Sequence, residues 1–186
     1  MMKLRKLELQ DKSEFISYIK EIRNSNERII PSPFGVLENY EELLQAINID
    51  MLSADNKFFR VPSDHYGLFS YSEDSSNKAV NNSGELVGLV GLRHYLNDNL
   101  RIRGGHIGYS IRPSCRGRGF GKLILQLSLP YLKSLGLSSV LVTTDPWNTL
   151  SQKVIIANGG EFTKAVKADN QYYFHYQLPT RQPISL

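Results

Sequence analysis

The densest chemistry in the sequence lies in one run, Ile111-Arg112-Pro113-Ser114-Cys115-Arg116-Gly117-Arg118-Gly119-Phe120-Gly121-Lys122. Glycines let backbone N–H groups come close to a ligand. The apolar periodic stretch that follows predicts a helix start, which adds unpaired donors and the positive end of a helix dipole. Arg112, Arg116, Arg118 and Lys122 bring formal charge. Together these groups suit a diphosphate. The spacing is not that of a Walker loop, because the closing Lys-Ser/Thr is missing. Nor does it fit a dinucleotide fingerprint, since its strand comes late in the chain and no βαβ repeat surrounds it.

Positioning these residues requires a strand before the loop and a helix after it. Gly105–Arg112 reads as that strand and Phe120–Leu135 as that helix, which Pro130 should bend. Upstream, Met2–Glu8 alternates as a first strand. Asp11 can cap a helix over Lys12–Arg28, with Phe15, Ile16, Ile19 and Ile22 at helical spacing. Asn39 opens a second helix carrying Leu43, Leu44, Ile47 and Leu52, and Val61–Tyr71 and Glu85–Tyr95 read as a long hairpin. Downstream, Ser139–Thr144 is a short buried strand. Asn148 caps a helix through Ala157, which Asn158-Gly159-Gly160 ends. Glu161–Val166 and Tyr172–Leu178 close the chain as a hairpin. The order predicts one α+β domain over residues 1–186, with a mixed, mostly antiparallel sheet of about seven strands.

Composition narrows the function classes. Hydrophobic residues at 41% and charged ones at 22% are those of an ordinary globular protein. No apolar run is long enough to cross a bilayer, so no membrane partner is expected and the cytoplasm is the default. The lone Cys115 excludes an internal disulfide and a cysteine-based zinc cluster, and no metal is expected. A net charge of +4 is too small to argue for nucleic acid. The charge is unevenly spread, however. From Ile29 to Asn56 lie Glu38, Glu41, Glu42, Asp50 and Asp55 without a basic residue, while Asn99–Lys122 is wholly basic. One reading is two solvated faces, the other a basic cofactor site opposite an acidic rim.

Arg116, Gly119 and Gly121 match Arg/Gln-x-x-Gly-x-Gly/Ala, and the chain thereby resembles the GNAT superfamily of N-acetyltransferases. The strand His106-Ile107-Gly108-Tyr109-Ser110-Ile111-Arg112-Pro113 looks like that family's fourth strand. Asn148, Ser151 and Asn158-Gly159-Gly160 resemble its Asn-x-x-Ser helix start. The resemblance implies acetyl-CoA as acetyl donor and an amine as acceptor. It also implies a splayed central strand pair holding pantetheine near Tyr109, Ile111 and Pro113, with Gly108 as a candidate bulge. The diphosphate would rest on N–H groups from Arg116 through Gly117, Arg118, Gly119, Phe120 and Gly121 to Lys122. Asn148 would cap its helix and could also touch the pantetheine.

The reaction needs a base for the amine and an acid for the departing thiolate. Many relatives carry Glu where this chain has His106, a residue able to titrate near neutrality, and His106 is the expected base. The usual acid is a tyrosine on the helix after Asn148; Ile155 stands there instead. Tyr109 is the expected acid, with Tyr172, Tyr173 and water as alternatives. Cys115 beside arginines could have a lowered pKa, but the resemblance implies direct transfer in a ternary complex, not a cysteine nucleophile. The acid-only stretch favours a cationic amine, of a small metabolite or a peptide. A module that binds CoA without acetyl transfer is the rival expectation.

Overall fold

A computed structural model describes residues 1–31, 39–48, 61–71 and 84–180. The strands are β1 (Met2–Arg5), β2 (Ser63–Ser70), β3 (Glu85–Arg93), β4 (Ile107–Ile111), β5 (Ser139–Thr144), β6 (Glu161–Ala168) and β7 (Gln171–Pro179). The helices are α1 (Lys12–Asn24), α2 (Tyr40–Asn48), α3 (Asp98–Ile102), α4 (Phe120–Ser134) and α5 (Thr149–Ile156). The strands form two antiparallel sheets, ordered β1-β2-β3-β4 and β5-β7-β6, in place of one continuous sheet.

β3 reads Leu-Val-Gly-Leu-Val-Gly-Leu because it is covered on both faces, as continuous apolar strands usually are. Leu86 and Leu89 pack with Phe15, Tyr18 and Ile22 of α1 and Leu43 of α2. Val87 and Val90 pack on the other face with Ile124, Leu125 and Leu129 of α4 and Ile155 of α5. These side chains are almost wholly buried, so truncating any of the leucines to Ala should cost about 2–5 kcal/mol. The helices thus hold the sheets from both sides, with α4 and α5 fixed against the face that carries the candidate loop.

Several boundaries shift for local reasons. β1 stops at Arg5 because Asp11 folds back on it, accepting from Arg5 Nη1 and Nη2 at 2.6 and 2.7 Å and from the Glu8 N–H at 2.8 Å. α1 ends at Asn24, before the predicted Arg28, because Asn26 takes a positive φ of 54°. The short helix α3, capped by Asn97, lies in a stretch that sequence reading left unassigned. Pro130 does not interrupt α4, which runs from Phe120 to Ser134. The β6–β7 turn uses Asp169 and Asn170 at φ 48° and 60°, residues that tolerate the left-handed region. Leu52 lies outside the described residues.

Candidate active site

The two sheets come together at the start of β4 and nowhere along its length. The His106 N–H donates to the Leu141 carbonyl at 2.8 Å, and the Leu141 N–H donates to His106 Nδ1 at 3.0 Å. Gly105 permits this junction. Its φ is +58°, and a Cβ there would lie 2.4 Å from the Leu141 carbonyl oxygen. Beyond the junction no ladder joins β4 to β5, so the strands splay and leave a slot. A cavity of about 590 Å³ occupies it. Gly108 and Tyr109 of β4, Val142–Thr144 of β5, and Asn148 and Ser151 at the head of α5 line one part. Arg28, Ile30, Arg93, Arg103 and Tyr173 line another. Gly108 pairs with Gly91 in unbroken register, so the splay does not come from a bulge at Gly108 as expected. The two strands are joined at Gly105–His106 and open beyond it.

At the far end of β4, Pro113–Cys115 forms a 3₁₀ turn and Gly119 begins α4 at φ +82° without a side-chain cap. Gly117 has φ +75°, and both glycines face open space. The first-turn N–H groups of α4, from Phe120, Gly121 and Lys122, therefore carry no capping acceptor, and the helix dipole adds to their pull on an anion. Among the described residues Arg118 and Lys122 form no ion pair; the Arg118 guanidinium lies 5.2 Å from the Phe120 ring centroid. This end of the slot fits the diphosphate of CoA. Gly121 has a further reason to be glycine: a Cβ there would lie 3.1 Å from Val154 Cγ2, so the residue sets the approach of α5 to α4.

Other expected cofactor residues are engaged differently. Arg112 points into α1, where Nε donates to Glu21 Oε1 at 2.5 Å, Nη1 to Glu14 Oε2 at 3.1 Å and Nη2 to Ser17 Oγ at 2.5 Å. Its guanidinium is buried in that cluster and turned from the loop. Arg116 holds both Glu27 oxygens at 2.6 and 2.8 Å, and its Nε donates to the Ile111 carbonyl at 3.1 Å. The Arg116 hydrogen bond holds the Glu27 carboxyl below its usual range. Asn148 caps α5, its side chain accepting from the Ser151 N–H at 3.1 Å.

The expected catalytic pair separates. Tyr109 lies in the cavity wall, its hydroxyl 3.2 Å from Ser151 Oγ. Burial pushes its pKa up, so the phenol is protonated at neutral pH. His106 does not line the cavity. Its Nδ1 accepts the Leu141 N–H, which fixes the neutral tautomer with the proton on Nε2. That leaves no free lone pair to take a proton, and burial pushes the imidazole pKa down. The expectation that His106 is the base is therefore corrected to a role in closing the root of the slot. Cys115 is buried, and burial pushes its thiol up, opposite to the lowering expected from neighbouring arginines. Tyr173 lines the cavity and accepts from Arg103 at 3.2 Å; Tyr172 does not line it.

Among the described residues of the acid-rich stretch, neither carboxylate forms a rim to the cavity. Glu41 pairs with Lys12 at 2.8 Å, Glu42 receives a bond from Asn39, and neither lines the cavity. Glu38, Asp50 and Asp55 lie outside the described residues. Sequence reading also missed Arg93, Arg28, Asp145 and Thr144, all in the cavity wall. Arg93 stands 65 residues after Arg28, 10 before Arg103 and 80 before Tyr173, so no spacing pattern links them; its one sequence signal is a guanidinium ending an apolar run. Burial lowers its pKa to about 10, which leaves it charged at neutral pH.

The glycine loop, the uncapped α4 and the splayed β4 and β5 define an acetyl-CoA-dependent acyltransferase. A family model described as an acetyltransferase (GNAT) domain matches residues 2–161, and the chain belongs to that family. Solved structures agree in fold. A ribosomal-protein-S5-alanine acetyltransferase from Vibrio fischeri is 17% identical, with 96% of this chain and 93% of that one covered at a TM-score of 0.66. A GNAT-family acetyltransferase from Streptococcus pneumoniae is 15% identical, with 96% and 99% covered at 0.63. A Salmonella typhimurium protein of acetyltransferase type, solved with its cofactor acetyl-CoA, is 12% identical, with 99% and 96% covered at 0.58. No curated protein sequence matches the chain.

Proposed function

We propose that residues 1–186 act as one cytoplasmic domain that moves an acetyl group from acetyl-CoA to a primary amine by direct attack in a ternary complex. The observation that carries this reading is the slot itself. Its cavity wall holds the Tyr109–Ser151 hydroxyl pair, and the bare N–H groups of α4 stand past the far end of β4.

Acetyl-CoA supplies an activated thioester. The chain's own groups do the rest. The N–H groups of Phe120, Gly121 and Lys122, with Arg118 alongside, hold the diphosphate. The free edge of β4 near Tyr109 offers backbone groups to the pantetheine arm, in the manner of an added strand. At Ile111 the carbonyl already accepts from Arg116, so pairing there starts one step further up the strand. Tyr109, kept protonated by burial, donates a proton to the departing sulfur, and Ser151 orients its hydroxyl. An alkylammonium is mostly protonated at pH 7 and must lose a proton before it attacks. Among the described residues lining the cavity Asp145 is the one carboxylate, and it takes that proton directly or through one water.

The chemical class of the amine is open to a small metabolite or a peptide terminus. The relatives in fold include one described as acting on a ribosomal protein and others as spermidine N-acetyltransferases. Among the described residues Glu41 and Glu42 do not line the cavity, so they lend a cationic acceptor no support. Amine-dependent release of free CoA across an amine library tests the proposal. Release that no amine stimulates would contradict it.

A further inference from the structure

Among the described residues the cavity is lined by three guanidinium groups, Arg28, Arg93 and Arg103, and by one carboxylate, Asp145. Arg93 is the informative one. Its Nη1 donates to the Gly104 and Gly105 carbonyls at 3.0 and 2.9 Å, and among the described residues it forms no ion pair. Its Nη2 would lie 3.8 Å from a Cβ at Gly108, so the absence of a side chain there opens the guanidinium to the slot. A charge taken this far from water is costly unless an anion meets it. Nearby, Thr144 Oγ1 is buried in the same wall without a hydrogen-bond partner among the described residues. Arg28 stands exposed at the rim.

The diphosphate is not the missing anion. The Arg93 N–H donates to the His106 carbonyl, which places Arg93 at the start of β4, whereas the α4 N-terminus lies past its end. At about 3.3 Å per residue the five residues of β4 alone put roughly 16 Å between them.

We propose that the acceptor amine carries an oxyanion, a carboxylate or a phosphate, which Arg93 grips from the cavity floor and Arg28 from the rim. This rests on the N-acetyltransfer reading above and names its substrate class. A guanidinium fork matches either oxyanion in geometry, and the test separates the two.

The twenty L-amino acids and 2-aminoethyl phosphate are compared as acceptors with their neutral counterparts, the amino-acid amides and ethanolamine, by kcat/KM for CoA release. At least one oxyanion acceptor should exceed its counterpart by about 10- to 100-fold, the range for a charge-assisted pair. The acid and phosphate arms identify which oxyanion is held. Arg28→Gln should cut that ratio about tenfold. Arg93→Lys, which keeps a charge near Gly104 and Gly105, should also lower it. Circular dichroism of each variant confirms that it is folded, and Arg28→Gln removes no hydrogen bond seen among the described residues. Neutral counterparts that work as well as the acids would overturn the inference. So would a ratio unmoved in both variants, or release with polyamines alone, while N-acetyltransfer would stand. Release with no amine at all would overturn that reading and this inference with it.

Discussion

The two ends of the slot are built by different means. The loop end is local: Gly117 and Gly119 in the left-handed region and a bare helix start, all within six residues, supply donors from the main chain. The acceptor end is assembled from distant parts, with Arg28 after α1, Arg93 at the end of β3, Arg103 before β4 and Tyr173 in β7. A motif can describe the first because backbone conformation is set by neighbouring residues. No motif describes the second, because a side chain's partner is chosen by the fold. The arginines make the contrast sharp. Arg116 belongs to the motif and Arg112 to the strand entering it, yet α1 and the segment after it hold them through Glu14, Glu21 and Glu27. Arg93 belongs to no motif, yet its guanidinium faces the cavity.

Several substitutions would break or sharpen this contrast. The largest effect is expected at Gly119. A Cβ there meets no atom within 4 Å, so a Glu can leave the backbone without a clash, at a cost of about 1–2 kcal/mol for the left-handed conformation. Its carboxylate would face the diphosphate. CoA affinity by calorimetry should fall at least ~100-fold while the thermal transition survives. Gly121 is the poorer test, since any side chain there first meets Val154. Next is Tyr109→Phe, which removes the proposed acid but keeps the ring. Its kcat should drop about 10²-fold with KM for acetyl-CoA little changed. Equal turnover would pass the acid role to Ser151 or water.

At the root of the slot, His106→Ala leaves the Leu141 N–H without its acceptor. Denaturant unfolding should show a loss of about 1–3 kcal/mol. A residual catalyst would show the same pH–rate profile; loss of an acid limb near neutrality would restore His106 as the base. A smaller effect is expected at the other end. Glu27→Gln releases the Arg116 guanidinium toward the loop, and CoA should then bind several-fold more tightly. Unchanged affinity would mean that the motif arginine contributes position, not charge.

One further prediction concerns stability and pH. Burial lowers the His65 pKa to about 4, so the folded state keeps it neutral. The unfolded state binds that proton below about 6.5. The stability His65 protects is thus present above pH 6.5 and is lost as pH falls toward 4, by at most a few kcal/mol. The unfolding midpoint of His65→Gln should depend less on pH across that window than that of the unsubstituted protein.

Much of the fold was legible because its signals are periodic or local. Helix spacing in Phe15, Ile19 and Ile22, the apolar β3 run and the Asn148 cap each state their own conformation. The candidate site was only half legible. The loop and Tyr109 could be named, but the fate of the His106 imidazole depends on Leu141, thirty-five residues away in sequence. Gly121 looked like a ligand-approach glycine, and its tightest neighbour is Val154 of the packed helix. Glu41 and Glu42 looked like part of a rim, yet neither lines the cavity, because sequence shows charge density without direction. Arg93 was missed for the opposite reason: one basic residue after an apolar strand carries no pattern.

The central claim is that backbone donors at the head of α4 hold the diphosphate of acetyl-CoA. Backbone amide exchange, followed residue by residue with and without CoA, tests it most directly. Protection concentrated at Gly117–Lys122 on adding CoA is the predicted result. CoA binding that leaves those amides exchanging as before would contradict it.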